Sequence, residues 1–566
     1  MKSRTMAWVG VGVVLATVGA LVQTPARPTG RSDVTALVPA GAALVLQAKD
    51  FASIVGDWNS SQEKAKWLAS ANYQAFSRSR LFLRLKDASD ELAAAAGIPP
   101  DMALVSEVAG GESALALYDI GKLEFLYVTR LPSAKAMESA LWRTRGSYAP
   151  REAAGTPFYV RVDPESKRVV AFGARDGYLL LATREDLLAG ALALIGGQGG
   201  ASVETEGWFA QSVKAAGARG DLRLVTNLEA LVKEPHFRSY WVQENVTELK
   251  QYASAVSDLV RTPTEVREER VLVRAGESPL PAGGPALGDL VRLVPDAAGL
   301  YRAWATPSPE AATTLIVEKI VATSGASALR DRIAPRVSRA AGVAGSEGDL
   351  ESRIDEETRA PRQTTYQTAA LAQLVGGETL TGMLHVEATR AASDGVFVDR
   401  GSVIVLARST DWPQGAAREA LQMLVDPVWS QAHLGMRWVD ARVGTQTFSR
   451  LEGLEALAVT ERGRLLFVAN DPALLASVLD ATSRPVVGLQ GAYAAGFRHA
   501  LERDRFVRAM RLIDHAAAGA ENREPMFFSE NLASLSETLS SVDSASIVIR
   551  DAGATVSQTV TYRLRR

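Results

Sequence analysis

The chain has 566 residues, 47% of them hydrophobic, with 62 Lys and Arg against 64 Asp and Glu for a net charge of -2. The apolar fraction can fill real cores, which excludes wholesale disorder, and the balanced charge excludes a global field that would gather nucleic acid. The sequence contains no cysteine, so thiol nucleophiles, thiolate metal sites, disulfides and a lipid-modified N-terminal cysteine are excluded as well.

Lys2 and Arg4 precede 17 uncharged residues, Met6 to Val22, which run into the polar, proline-broken Pro25-Ala26-Arg27-Pro28. A basic flank followed by an apolar core is an export signal, and Met6, Trp8, Val13, Leu15 and Val22 are its membrane residues. The length lies at the bottom of the range of about 17–25 for a spanning helix and above the range of about 7–15 for a signal-peptide core. Val18-Gly19-Ala20 offers a cleavage site; the reading adopted is an uncleaved signal anchor with a cytoplasmic N-terminus. No later stretch approaches that apolar length, so the bulk of the chain is expected on the periplasmic or extracellular side of the cytoplasmic membrane.

Ala43 to Ala48 is a short apolar run behind a proline and reads as a strand. From Ser61 through Ala95 the pattern is helical, ending before Gly97-Ile98-Pro99-Pro100. Strands are expected at Ser113–Tyr118, Leu123–Arg130 and Phe158–Val162, with the Asp119 and Gly121 of a hairpin turn between the first two. A helix follows at Ala134–Trp142. Val169–Phe172 and Tyr178–Ala182, joined through Arg175-Asp176-Gly177, form the strongest hairpin, and Thr183 reads as the N-cap of a helix over Glu185–Leu194. Gly196-Gly197-Gln198-Gly199-Gly200 follows that helix and reads as its stop, since a phosphate cradle needs a strand before it.

His236-Phe237-Arg238-Ser239-Tyr240-Trp241 is the densest aromatic cluster, and His236, Phe237, Tyr240 and Trp241 are a candidate interaction surface. Residues 275–292 open with the Pro/Gly-rich Ala275 to Pro285, a natural linker. Ser338 to Thr365 reads as a mobile insertion. Arg505 and Arg508 lie on a helical stretch of arginines and apolar residues and are candidate contacts to a partner or to anionic headgroups, although Glu502, Asp504 and Asp514 interleave with the arginines. The closing Thr555–Leu564 alternates apolar and polar residues, the mark of an antiparallel sheet with one wet face.

An ordered series of matches links the two halves. Leu37-Val38-Pro39 matches Leu293-Val294-Pro295. Asp119-Ile120-Gly121 with its following apolar run matches Asp399-Arg400-Gly401, and Gly155-Thr156 with Phe158 matches Gly444-Thr445 with Phe448. Gly177-Tyr178-Leu179-Leu180-Leu181 matches Gly463-Arg464-Leu465-Leu466-Phe467. The offsets of 256, 280, 289 and 286 keep one order, so the expectation is an α+β fold, a tandem duplication of two antiparallel-sheet-plus-helix domains behind the N-terminal segment. The boundaries are 1–36 for the anchor and linker, 37–274 for the first copy, 275–292 for the linker and 293–566 for the second copy.

Chemical motifs are missing: no nucleophile elbow, no His-Glu-x-x-His helix, no phosphate loop and no calcium loop. The five histidines show no ligand spacing, and carboxylate pairs such as Glu268-Glu269 read as solvated. No catalytic, cofactor or metal residue is assigned, and no cofactor is expected. Leu37-Val38-Pro39 with Ala42 and Leu44, the amphipathic helix after it, and the run from Gly177 to Leu187 resemble uncharacterised exported bacterial proteins grouped as a domain of unknown function. The resemblance implies an envelope location and assigns no catalytic residue. The expected function is a non-enzymatic, membrane-anchored binding or scaffolding module, with a lipid or a protein as partner. The alternatives are a carrier of an apolar ligand between sheet and helices, and a hydrolase with an unrecognised site.

Overall fold

The computed structural model describes residues 33–70, 73–74, 77–78, 80–235, 237, 249–276, 287–321, 367–391, 398–429, 436–452, 456–502 and 541–565. These divide into two compact units, the first holding 33–276 together with 551–564 and the second 287–502 and 541–550. The strands are, in chain order, β1 (Leu44–Ala48), β2 (Ser113–Asp119), β3 (Glu124–Arg130), β4 (Ala149–Ala153), β5 (Thr156–Val162), β6 (Val169–Arg175), β7 (Tyr178–Ala182), β8 (Leu222–Asn227), β9 (Tyr252–Arg261) and β10 (Glu265–Arg274). Then follow β11 (Leu300–Ala305), β12 (Leu380–Ala391), β13 (Val398–Arg408), β14 (Arg437–Val443), β15 (Gln446–Glu452), β16 (Leu457–Arg462), β17 (Leu465–Ala469), β18 (Tyr493–Arg498), β19 (Val542–Asp551) and β20 (Thr555–Leu564).

The first unit is a single antiparallel sheet in the order β4-β5-β6-β7-β3-β2-β1-β8-β9-β10, continued by β20 alongside β10. The β6–β7 hairpin closes on Asp176 and Gly177, both at positive φ, the mirror-image turn whose twist matches that of paired strands. Thr183 does not cap the next helix. Its hydroxyl instead accepts from the Phe125 backbone N–H at 2.8 Å, and the helix Glu185–Ile195 starts at Arg184 without a side-chain cap.

Along β3, β6 and β7 both faces of this sheet are covered, where the sequence pattern predicts cover for one face only. One face buries Val45, Ala116, Leu126, Leu180 and Phe158 against the helices Glu185–Ile195 and Gly207–Ala216. The other buries Tyr127, Phe172 and Leu179 with Ala95, Ala96 and Leu141 of the opposing helices. The reason is legible in β7, where Leu179-Leu180-Leu181 is a continuous run and therefore apolar on both sides. The helical run expected from Ser61 is divided into Gln62–Ala69 and Arg80–Ala96.

The second unit has the order β14-β15-β16-β17-β13-β12-β11-β18-β19, again antiparallel throughout. It is the strand succession of the first unit moved on by ten places. The ladders correspond, Leu126 facing Ala182 as Val403 faces Ala469 and Arg175 facing Tyr178 as Arg462 faces Leu465, in a register that departs from the sequence matches by three residues at 119/399 and by one at 177/463. Its two faces bury Val386, Val403, Phe448 and Phe467 under the helix Pro472–Asp480, and Met383, Ile404, Leu421 and Val468 under the helices Pro309–Ile316, Ala369–Gly376 and Ala416–Trp429.

No described helix is long and apolar enough to cross a membrane. The segment carrying Met6, Trp8, Val13, Leu15 and Val22 lies outside the described residues, as does the insertion expected at 338–365.

Candidate functional site

Of the residues singled out in the sequence, His236, Tyr240, Trp241, Arg505 and Arg508 lie outside the described residues. Phe237 is described and is half-buried. The described residues therefore bring none of that cluster together. They assemble two other arrangements, at the same rung of each sheet.

In the first unit β1 is central, so its alternate side chains must be covered from both sides. Val45 is fully buried on one side. On the other, Leu44 and Leu46 stand opposite Leu117 and Leu115 of β2, and Leu46 stands opposite Leu224 of β8. All five of these leucines are only half-buried. Leu46, Leu222, Leu224 and Leu259 line a shallow recess with Ser257 and Glu268, about 230 Å³ counting the space open to solvent. The recess has a polar end: the Ser257 hydroxyl donates to Glu268 at 2.5 Å, and Arg270 grips the same carboxylate through Nε and Nη2. Glu268, read in the sequence as solvated, is thus buried and paired, while Glu269 points to solvent. Their adjacency in a strand sends them to opposite faces.

On the far face of the same sheet, Arg223 and Asp258 form a two-pronged ion pair at 2.9 and 2.8 Å, each about as buried as a core leucine. Gly220 N–H also donates to Asp258 at 2.8 Å. These contacts satisfy both carboxylate oxygens, the condition under which burying charge is tolerable.

In the second unit the rung of Leu115 and Leu46 is occupied by His385 of β12 opposite Arg302 of β11. The rung of Leu117 and Leu44 is occupied by Glu387 opposite Leu300. His385 is fully buried, its two ring nitrogens have no hydrogen-bond partner, and its Nε2 is 3.4 Å from Glu387. Lys319 reaches Glu387 at 3.3 Å and Arg400 reaches it at 3.1 Å. Further along β12, Thr389 donates to the buried Glu502 at 2.6 Å.

Burial pushes the His385 imidazole down to about 4, against the pull of Glu387, with Lys319, Arg302 and Arg400 adding to the fall. Burial alone would raise the Glu387 carboxyl, but His385, Lys319, Arg400 and Arg302 outweigh it and hold the group below the usual carboxylate range. The resting state is a neutral imidazole beside an ionised carboxylate. Chemically this is a buried imidazole and carboxylate reached by partly exposed cations, with Ile316 and Ile320 fully or almost fully buried in the covering helical segment. Among the described residues no three acidic or histidine side chains gather as a metal site.

The sequence reading missed this row because Met383, His385, Glu387 and Thr389 alternate with Leu384, Val386 and Ala388. Such a pattern reads as a solvent face, whereas here helices cover it.

No family model matches the chain, and no curated protein matches it to a significant degree. This agrees with the weak resemblance to uncharacterised exported proteins. Among solved structures the chain is similar to TP0453. Crystal form I is 12% identical, with 44% of this chain and 81% of that chain covered and a TM-score of 0.24. Crystal form III is 13% identical, with 47% and 88% covered and a TM-score of 0.23. At such scores the likeness bears on neither fold nor function.

Proposed function

We propose that this chain is an exported, membrane-anchored and non-enzymatic binding module, built by tandem duplication and held to the cytoplasmic membrane by residues 6–22. Support for the duplication comes from the shared strand succession and from one detail that strand order alone does not require. Asn470 accepts from the Ser402 N–H at 2.7 Å, at the ladder position where Thr183 accepts from Phe125. Phe158 and Phe448, matched in the sequence, are both core residues at equivalent registers.

The observation that carries the binding reading is the half-buried leucine face of β1, β2 and β8. Central strands of a two-sided sheet ordinarily bury such side chains, and an apolar surface rimmed by a few polar groups is what a ligand or partner uses. The second unit has filled the same rung with charge, so the leucines are a choice of this sequence and are not imposed by the fold. Carriage of a whole lipid inside the protein has less support, because the recess at Leu46 is smaller than the roughly 300–1,000 Å³ of ordinary ligand sites.

Native mass spectrometry of the full chain, extracted in detergent and then denatured, tests the reading. We expect residues 1–22 to be retained, and a bound apolar species that is released on denaturation and lost in Leu46→Gln/Leu224→Gln. A bare chain in the native spectrum, or an adduct indifferent to that double substitution, overturns binding at this face. A mature mass beginning after Ala20 overturns the anchor alone.

A further inference from the structure

The sheet of each unit ends on the outer strand of a hairpin. In the first unit this is β4, paired among the described residues with β5 alone, and in the second it is β14, paired among them with β15 alone. Both hairpins turn through two residues, Ala154-Gly155 and Gly444-Thr445, so Ala153 with Thr156 and Val443 with Gln446 are the closing hydrogen-bonded pairs. Counting back from those pairs, the backbone N–H and carbonyl of alternate residues turn away from the hairpin toward the open edge. In β4 these are residues 150 and 152; in β14 they are Trp438, Asp440 and Arg442.

An open edge is a template for another strand, and the first unit blunts its own. β4 has five residues, and its outward position 150 is a proline, which has no N–H to offer. β14 has seven residues, with Asp440 at the place of Pro150 and Arg442 at the place of Glu152. It is also held in position from its own unit. Trp438 Nε1 donates to Gln422 at 2.8 Å, and Arg437 donates to Glu452 at 3.2 Å.

Charges on an edge commonly keep other strands away. Here the two charges are exposed, opposite in sign and two residues apart, so they select a register instead. When two β14 strands are laid antiparallel through their outward residues, setting Asp440 opposite Arg442 also sets Arg442 opposite Asp440, and the same ion pair forms twice. A slip of two residues puts Asp440 against Asp440 or Arg442 against Arg442, which is unfavourable. Arg442 uses its Nε on the Gly444 carbonyl at 3.1 Å, and the rest of its guanidinium fork faces the edge strand's solvent side. On the other face the same register places Ala441 opposite its own counterpart on the two-fold axis and Val439 opposite Val443. All three are half-buried, and Ala441 and Val443 pack on the core under the helix Pro472–Asp480. A second β14 therefore continues an apolar row on one face and neutralises charge on the other, with the smallest side chain where the strands come closest.

We propose that β14 is a self-association edge, through which two copies of this chain join as antiparallel strands with Asp440 of each opposite Arg442 of the other. The occupant is a second copy because the edge is complementary to itself. The proposal draws on neither the anchor nor the leucine face of β1. A contact made by one strand is at the small end of specific interfaces, so the dimer is expected to form as concentration rises.

Sedimentation velocity of the full chain in detergent, over a range of concentrations, tests it. Asp440→Arg and Arg442→Asp each set like charges opposite one another twice and are each expected to weaken association at least about tenfold. Mixed in equal amounts, the two variants are expected to recover the dimer, since every facing pair is then opposite in sign; that recovery also shows both variants to be folded. The absence of cysteine supplies a second measurement. Ala441→Cys lies on the axis and is expected to form an interchain disulfide under mild oxidation. Val439→Cys, on the same face, stands roughly 14 Å from its counterpart at about 3.4 Å per residue, beyond disulfide reach, and is expected to stay reduced. A chain that remains monomeric throughout, an association indifferent to the charge reversals, as pairing through residues 6–22 would be, or equal cross-linking at 439 and 441 overturns the proposal.

Discussion

One rung of the sheet separates the two units more sharply than any other feature. Where the first unit places Leu46 opposite Leu115, the second places Arg302 opposite His385. The hydrogen-bonded frame is the same, so the difference is chemistry written on a common backbone. The first unit leaves its apolar rung half-buried and has two buried ion pairs, Arg270 with Glu268 at the end of the leucine face and Arg223 with Asp258 on the opposite face at β8 and β9. The second unit places polar and charged groups on this row, with His385 and Glu387 buried and Arg302, Lys319 and Arg400 around them at partly exposed positions. A frame that tolerates both fillings does not dictate function; the side chains on the rung do.

The largest expected effect tests the buried charge on the far face of the first unit. Arg223→Ala leaves Asp258 buried with only the Gly220 N–H and no cation, and removal of one partner of a buried pair costs about 3–5 kcal/mol. Hydrogen exchange of β8 and β9 in the variant is expected to rise accordingly, while the amides of β12 and β13 stay at wild-type rates. Equal acceleration in both units would mean that they do not open as separate cooperative bodies. Arg223→Met with Asp258→Leu, which removes both charges and keeps the volume, is expected to recover most of the loss.

The second expected effect, nearly as large, concerns the other side of the comparison. His385 has its folded value depressed to about 4 from 6.5, so the fold holds the neutral imidazole. Above about pH 6.5 folded and unfolded chains are both neutral there, and the stabilisation is fully present. As pH falls from 6.5 toward 4 the unfolded chain takes up the proton first, and stability is lost, by about 3 kcal/mol once pH is below both values. Glu387 adds in the same direction at lower pH, since its folded value is also depressed. Exchange rates of β12 and β13 between pH 7 and 4 check this, after correction for the intrinsic rate. In His385→Leu, which restores the filling of the first unit, the histidine-dependent part of the loss is expected to vanish. An unchanged acid slope would assign it to carboxylates elsewhere.

Local chemistry made much of the fold legible and left the rest hidden, for identifiable reasons. The β6–β7 hairpin was readable because Asp176-Gly177 states its turn type, and the equivalence of Phe158 with Phe448 because each follows a Gly-Thr turn by a few residues. The pairing of β10 with β20 joins Glu265 to Arg563 across nearly the whole second unit, and no window of sequence carries such a contact. The polar rung escaped because alternation tells which residues share a face but not whether a helix covers it. Of the candidate site residues, the sequence pointed to the aromatic cluster at His236–Trp241 and to Arg505 and Arg508, which, apart from the half-buried Phe237, lie outside the described residues. The run from Ser61 to Ala95 was legible as helical. The exposure of its Leu68, Leu83 and Leu85 was not, because an apolar residue on an amphipathic pattern is read as core.

The smallest expected effect asks how deep the common frame runs. Thr183 and Asn470 occupy one position after β7 and after β17, and each side chain takes the backbone N–H of its neighbouring strand, from Phe125 at 2.8 Å and from Ser402 at 2.7 Å. The backbone of the same residues returns the bond, with N–H to carbonyl distances of 3.0 and 3.2 Å. Each side chain therefore satisfies an edge donor at a point where the strand partner has ended, and its loss strands that donor. Thr183→Ala and Asn470→Ala are each expected to cost about 1 kcal/mol, within the range for one unsatisfied backbone group, seen as faster exchange of the Phe125 and Ser402 amides in the respective unit. If the two costs agree, the bond belongs to the frame both units share. If Asn470→Ala costs clearly more, the second unit has recruited the position to its charged rung, since Asn470 also donates to the Lys319 carbonyl at 3.4 Å and so holds the segment whose lysine reaches Glu387. The double variant Asn470→Ala/Lys319→Met separates these cases: additive losses keep the bond in the frame, and a shortfall from additivity places Asn470 and Lys319 in one network.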